Sequence, residues 1–578
     1  MKIALFDTMA ALERSLRDQG HDVLALPLKG GVYHLPRLLA RNNFTPDLVL
    51  QQEMLGPRGF FTGLAEIPCP TVFWAIDSHL NLFWQRWYGL LFDAVLTPHL
   101  SLFEALPAPL RPGRLGRFAW PGSARAFRPH AERGHALSFC ARIDANRPVR
   151  AWMAELLAPL GLHTVDGLSW NGMMALYDDS RAVPNESIAN EVNFRLMEAA
   201  SSGCLALTPD VGEDQNALLE PGAECLVYRD GLELLEYAAW AKARPRETER
   251  LGAAARRRIL AEHLPEHRAR SLTALGATLS GNRLTGAGAE AAYWLTLAAQ
   301  TRDGRAAVDP MALAGQGHGM AGRLADSPDP LERELGLQVL TQTLLLMAEG
   351  EKGPRAGNDA VRALLAEIVQ KAEQRPDQNP LASLEAASAC SAAALGQRNF
   401  ALAGACYLAW RRAGHRAGRG HATGPDSPAT RTPRTAVELC TAWANAFARQ
   451  GTLFWSGFRF VPEKGMLPES ALAWVLFARH LEPEATLPGL TADLLAGVPA
   501  FAHLRLGFLA EHNLAHPADW RAAQDYGLTS IGVCRVETGL AELGDALALA
   551  RKAGQERAFW ARLKAKSPVP RSWQERLS

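Results

Sequence analysis

Within the run Asn190-Glu191-Val192-Asn193-Phe194-Arg195-Leu196-Met197-Glu198, an amide, a guanidinium and a carboxylate fall a few residues apart, and Gly203 and a short apolar run to Thr208 follow. Val192, Leu196 and Ala199 or Ala200 recur at helical spacing, which predicts a helix over 190–202 that packs this face on a sheet and keeps Asn193, Arg195 and Glu198 clear of it. Gly203 stops the helix, and 204–208 reads as a buried strand ending in Thr208-Pro209. Polar groups then gather at a strand's carboxyl end, where open α/β sheets bind ligands. Backbone N–H groups at the helix start, beginning at Asn190, suit a diphosphate. Glu198 suits a ribose diol, because a carboxylate accepts hydrogen bonds from both hydroxyls. The competing reading is an ordinary amphipathic helix with a solvated charged face. Two further groups sit after expected strands. Asp77-Ser78-His79 offers a carboxylate and an imidazole for proton transfer, against the plainer role of a helix cap or loop. The loop from Thr208 to Asp214 offers amides and acids to a bound sugar.

The elements that must position these groups come in two series. Short β-rich runs at 2–7, 22–27, 47–52, 71–76 and 93–97, with a weaker one at 117–120, alternate with helical stretches. A second series runs through 136–141, 162–165, 181–183, 204–208 and 224–228. The expected fold class is therefore α/β then all-α: two Rossmann-like halves, 1–132 and 133–278, meeting in a segment crowded with Pro121, Gly122, Pro129 and Gly134, followed by a helical part over 279–578. The stretch 393–407 resembles a tetratricopeptide helix pair, but no regular period recurs, so a divergent solenoid and an irregular bundle both stay open. Residues 415–434, crowded with Gly, Pro, Ser, Thr and Arg, read as a mobile loop. Trp84, Trp87 and Tyr88 stand at helical spacing, which fits a core better than a sugar-stacking face.

Composition narrows the function. With 61 basic against 60 acidic side chains in 578 residues, no global field gathers nucleic acid or an anionic membrane. The segment 81–96 is the nearest approach to a membrane span and is broken by Gln85, Arg86 and Asp93. No signal peptide is apparent, and a cytoplasmic location is expected. Eight scattered cysteines form no C-x-x-C pair and read as buried free thiols. Neither a G-x-G-x-x-G turn nor clustered metal ligands appears; Asp178-Asp179 are adjacent and end a helix, so no essential metal and no cofactor are expected.

Asn193, Arg195, Glu198 and Gly203 fit the pattern N-x-R-x-x-E-x-x-x-x-G, and the chain from Phe73 to Leu275 resembles glycosyltransferases of the GT-B fold, of the CgeB-like and group-1 types. The resemblance extends to Phe73-Trp74-Ala75-Ile76-Asp77, Phe92-Asp93-Ala94-Val95, Phe118-Ala119-Trp120-Pro121-Gly122-Ser123, Ser138-Phe139-Cys140-Ala141-Arg142, Leu176-Tyr177-Asp178-Asp179-Ser180 and Glu224-Cys225-Leu226-Val227-Tyr228. It implies a metal-independent hexosyltransferase that moves a sugar from a nucleotide-diphosphate donor to a protein or glycan, the first half binding acceptor, the second binding donor, and the helices recognising a partner. Glu198 looks like the second carboxylate of the E-x7-E motif, which binds ribose. The motif's first position falls on Asn190, with Glu191 beside it, so neither retention nor inversion follows. Arg142, followed by Asp144, Asn146 and Arg147, matches the region where such enzymes set a basic side chain against the diphosphate. Asp77 and His79 would serve the acceptor oxygen. Because Asn replaces the first motif carboxylate, a catalytically degenerate scaffold with an interacting helical part is the alternative. A nucleotide-sugar epimerase or dehydrogenase ranks last, since the glycine fingerprint and a Tyr-x-x-x-Lys pair are missing.

Overall fold

The computed structural model describes the whole chain except residues 55, 57, 145–146, 188–189, 282, 350–355, 375–378, 417–431, 451, 454–459, 484–487, 497–501, 567–575 and 578. Most of the expected loop 415–434, and Asn146, lie outside the described residues. The chain divides into two compact units, neither continuous in sequence. One comprises Met1–Thr8, Asp22–Gly116 and Gly276–Leu487; the other comprises Met9–His21, Arg117–Leu275 and Pro488–Ser578.

The first unit is built on β1 (Lys2–Phe6), β2 (Asp22–Leu26), β3 (Gly31–His34), β4 (Leu48–Gln52), β5 (Gly59–Thr62), β6 (Thr71–Trp74), β7 (Ala94–Thr97) and β8 (Leu115–Arg117). Six of these form one sheet in the order β2-β1-β4-β6-β7-β8, with parallel pairing from β2 through β7. Its strands are continuous apolar runs, such as Ile3-Ala4-Leu5-Phe6, because both faces are covered. The last strand lies two residues earlier than the expected 117–120, since Val95 N–H bonds the carbonyl of Arg114 and draws that segment into the sheet. Strands β3 and β5, a separate parallel pair, were not expected. Trp84, Trp87 and Tyr88 on the helix Ser78–Tyr88 are buried, as their spacing implies. They share one apolar core with Trp294, Leu295 and Ala298 of the helix Gly286–Arg302, and Arg58 ties the two helices by donating to Asn81 (2.6 Å) and Gln300 (2.8 Å). Further helices of this unit pack around Trp443 and Trp474, whose indoles donate to Ser391 and Ser388 of the helix Leu384–Gly396.

The second unit holds β9 (His135–Cys140), β10 (Leu162–Val165), β11 (Ser180–Pro184), β12 (Leu205–Pro209) and β13 (Cys225–Tyr228), all parallel, in the order β10-β9-β11-β12-β13. This strand series falls within a residue of the expected one. The proline-rich segment ahead of β9 is stapled to the sheet: Arg125 pairs with Asp178, Arg128 with Asp179 (2.5 Å), and buried Arg133 donates to the carbonyls of Ser180 (2.5 Å) and Ser202 (2.7 Å). Asp178 and Asp179 are thus occupied as structural partners at the end of the helix Trp170–Asp178. Late helices complete this unit, with Cys534 in the sheet's core and Leu232 packed among Trp520, Ile531 and Val536. The eight cysteines are free thiols, seven of them buried. Among the described residues no helix is long and apolar enough to cross a membrane.

Candidate functional site

In the second unit the helix spans Phe194–Ser201, four residues shorter at its start than expected. Asn190 takes a left-handed backbone (φ 60°) and stands exposed four residues ahead of the helix, so it is not part of the helix start. Asn193 occupies the cap position, yet its side chain does not cap. Its Nδ2 donates instead to the Asn185 side chain (3.0 Å) and the Glu186 carbonyl (2.9 Å), leaving its Oδ1 buried and without a partner. At the other end, Gly203 has φ 71° and its N–H bonds the carbonyl of Ala200; a Cβ there would lie 2.8 Å from the Phe127 ring, so only glycine closes this turn.

Asn185, the first residue beyond β11, is the hub of the site. Its Oδ1 accepts from Asn193 and from Arg195 Nη1 (2.9 Å), its Nδ2 donates to Thr208 Oγ1 (3.1 Å), and its carbonyl accepts from the Tyr228 hydroxyl (2.5 Å). Thr208 is therefore sealed beneath the edge: it is fully buried and its hydroxyl donates to Gln215 (3.0 Å). The Thr208 side chain thus holds Asn185 in place. Arg195 lies over the Phe139 ring (4.8 Å), donates to the Cys140 carbonyl (3.3 Å), and keeps a buried Nε without a partner.

Glu198 is half-buried on the next turn. Burial pushes its carboxyl up to about 7, while the Arg195 charge and a hydrogen bond from Trp170 pull it back. A carboxylate so placed gains from any ligand hydroxyl that replaces its lost water. Arg142 follows β9, is 65% exposed and pairs with Asp144 (2.9 Å). The loop carrying Arg142 and Arg147 is anchored by Arg150, which donates to the Arg142 carbonyl (3.3 Å) and forms a buried pair with Glu186 (2.8 Å). The structure thus brings Asn193, Arg195 and Glu198 together, leaves Arg142 with a reach into solvent, and sets Arg147 at the start of the helix Pro148–Leu157. Asn185, Arg150 and Glu186 were not anticipated. Asn185 and Glu186 directly follow a strand, the same signal that singled out Asp77.

In the first unit, Asp77 and His79 open the helix Ser78–Tyr88 just past β6, and both are buried. The His79 ring lies 4.9 Å from that of His99, which follows β7. Glu53, immediately after β4, is 5% exposed, and one of its oxygens accepts from Ile76 N (2.9 Å), Asp77 N (2.8 Å) and Gln85 Nε2 (2.6 Å). Burial, and then the neighbouring Asp77 charge, raise the Glu53 carboxyl to about 7. Glu53 and His99 were missed, although both lie at strand carboxyl ends. Asp7, also past a strand end, is a turn residue: its carboxylate accepts the Leu28 N–H (2.6 Å).

Residues 125–274, which contain the whole five-stranded sheet and its polar carboxyl edge, match the family model described as glycosyl transferase-like. The match ties the chain to sugar transfer in general. Among solved structures the chain is similar to a sucrose-phosphate synthase from Thermosynechococcus elongatus, at 12% identity over 48% of this chain and 98% of that one, with a TM-score of 0.36. It is also similar to a glycosyltransferase from Rickettsia africae ESF-5, at 9% identity over 48% and 97%, with a TM-score of 0.34. No curated protein matches.

Proposed function

We propose that this chain transfers a sugar from a nucleotide-diphosphate donor to a protein or glycan acceptor, without a metal. The observation that carries the reading is the polar carboxyl edge of the glycosyl transferase-like sheet: Glu198 lifted to about 7, with the buried Asn193 Oδ1 and Arg195 Nε lacking partners within the protein. Unmet polar atoms at such an edge favour a polar ligand there, because each is costly to leave dry. In this reading Glu198 accepts from the ribose diol, and the exposed guanidinium of Arg142, helped by Arg147, meets the diphosphate. The acceptor oxygen attacks the anomeric carbon, the bond to the diphosphate breaks, and the leaving nucleotide's growing negative charge is offset by these cations. Asp77 or His79 takes the acceptor proton, with Glu53 fixing the backbone of Asp77.

Calorimetry against uridine, guanosine and thymidine diphosphate sugars tests the donor half. At least one binds the unmutated protein; binding of none overturns the reading and favours a degenerate scaffold. With the bound donor in hand, Asp77→Asn and His79→Ala separate the roles: one of them keeps donor affinity and stops release of the nucleoside diphosphate. Unchanged release in both removes them from the chemistry.

A further inference from the structure

Trp170 stands where β10 gives way to a helix, past the loop Asp166-Gly167-Leu168-Ser169 at the strand's carboxyl end. It is 54% exposed, an unusual setting for the largest apolar side chain, and Leu168 beside it is 40% exposed. The ring is nevertheless held. Ser169 caps the helix by accepting the Gly172 N–H (3.2 Å), which fixes the backbone at Trp170, and the indole N–H lies close enough to the Glu198 carboxyl to hold its pKa down. Indole nitrogen only donates, so this approach turns the N–H edge of the ring toward Glu198, and the exposed side chain keeps π-surface open to solvent.

Resting on the reading of Glu198 as the ribose carboxylate, we infer that Trp170 is the platform on which the donor's nucleobase stacks. The chemistry of a nucleoside supports this. The base is bonded to the ribose carbon next to the diol, so a carboxylate that holds the diol brings the base within a ring's width of whatever that carboxylate also touches. Here that neighbour is a flat, oriented, solvent-facing indole. Stacking on it is tolerant of base identity, because every base has a π-face. Trp170 therefore supplies affinity for a nucleotide as a class, and selection among bases falls to groups that meet the base edge.

The test is calorimetry with the full chain, using uridine, guanosine, thymidine and adenosine diphosphates beside ribose 5-phosphate, which has the sugar and a phosphate but no base. Trp170→Ala weakens the best-bound nucleoside diphosphate about tenfold, the scale of one lost base–aromatic stack. It leaves ribose 5-phosphate affinity within about twofold, and Trp170→Phe restores most of the loss. Equal weakening of both ligands in Trp170→Ala shows that the indole acts only through Glu198 and overturns the inference, as does unchanged nucleotide affinity. Failure of every nucleotide to bind the unmutated protein is a different outcome: it overturns the donor-site reading beneath the inference. An unchanged melting temperature confirms that the exposed substitution leaves the fold intact.

Discussion

Two carboxylates, Glu53 and Glu198, sit at the carboxyl edges of the two parallel sheets, and burial raises each to about 7. The resemblance ends there. Glu53 is sealed, with three donors converging on one oxygen, two of them backbone N–H groups that fix the turn into Asp77. Glu198 is half-open, flanked by Arg195 and by the solvent-facing Trp170. The raised carboxyls thus arise in two settings: one oxygen of Glu53 fixes the turn while the other is buried without a hydrogen-bond partner, and Glu198 stands partly open beside Arg195 and Trp170. A shifted carboxyl alone does not mark a binding residue; what its oxygens already hold decides.

The largest expected effect breaks this contrast on the positioning side. Glu53→Ala strands two backbone N–H groups and the Gln85 amide in a dry interior, costing about 3–5 kcal/mol by denaturant unfolding. Glu198→Ala does no such damage; a comparable loss there would mean that Glu198 is structural too.

The second effect is a pH dependence. Because the Glu198 carboxyl titrates near 7 in the folded chain against an ordinary 4.5, the folded state binds its proton more tightly than the unfolded state does. This residue's contribution to stability therefore falls as pH rises from about 4.5 through 7. Glu198→Gln escapes the penalty, so its melting temperature exceeds that of the unmutated protein by a wider margin at pH 8 than at pH 5. An equal margin at both pH values would show that the carboxylate carries no burial cost.

The smallest effect on the fold is expected at Arg142. Its exposed side chain makes Arg142→Ala neutral in stability to within about 0.5 kcal/mol, while nucleoside diphosphate affinity falls about tenfold, as for one lost charge-assisted contact. Equal affinity in the variant would move the diphosphate elsewhere.

How much of this was legible depended on range. Parallel strands buried on both faces announce themselves as apolar runs, so β1 and β4 fell within a residue of where they were expected. Strands β3 and β5 did not, because Gly-Val-Tyr-His and Gly-Phe-Phe-Thr are short and begin with glycine. The helix start was misplaced by the left-handed Asn190, a conformation that its side chain tolerates but does not advertise. Asn185 escaped because its role comes from Arg195, Thr208 and Tyr228, residues of three other segments that meet only after folding. The helices beyond Leu275 were recognisable as helices. Which core each would enter was not, since an amphipathic face does not name its partner: Trp294 joins the first unit's core and Ile531 the second's.

On the reading proposed above, the carboxyl edge of the second sheet holds the donor nucleotide. Calorimetric titration of the unmutated protein, Glu53→Gln and Glu198→Ala with the tightest-binding nucleoside diphosphate tests it most directly. Comparable affinity is expected for the first two, and a loss of about 100-fold or more in Glu198→Ala, the scale of two charge-assisted hydrogen bonds to a diol. Full affinity in a folded Glu198→Ala would contradict it.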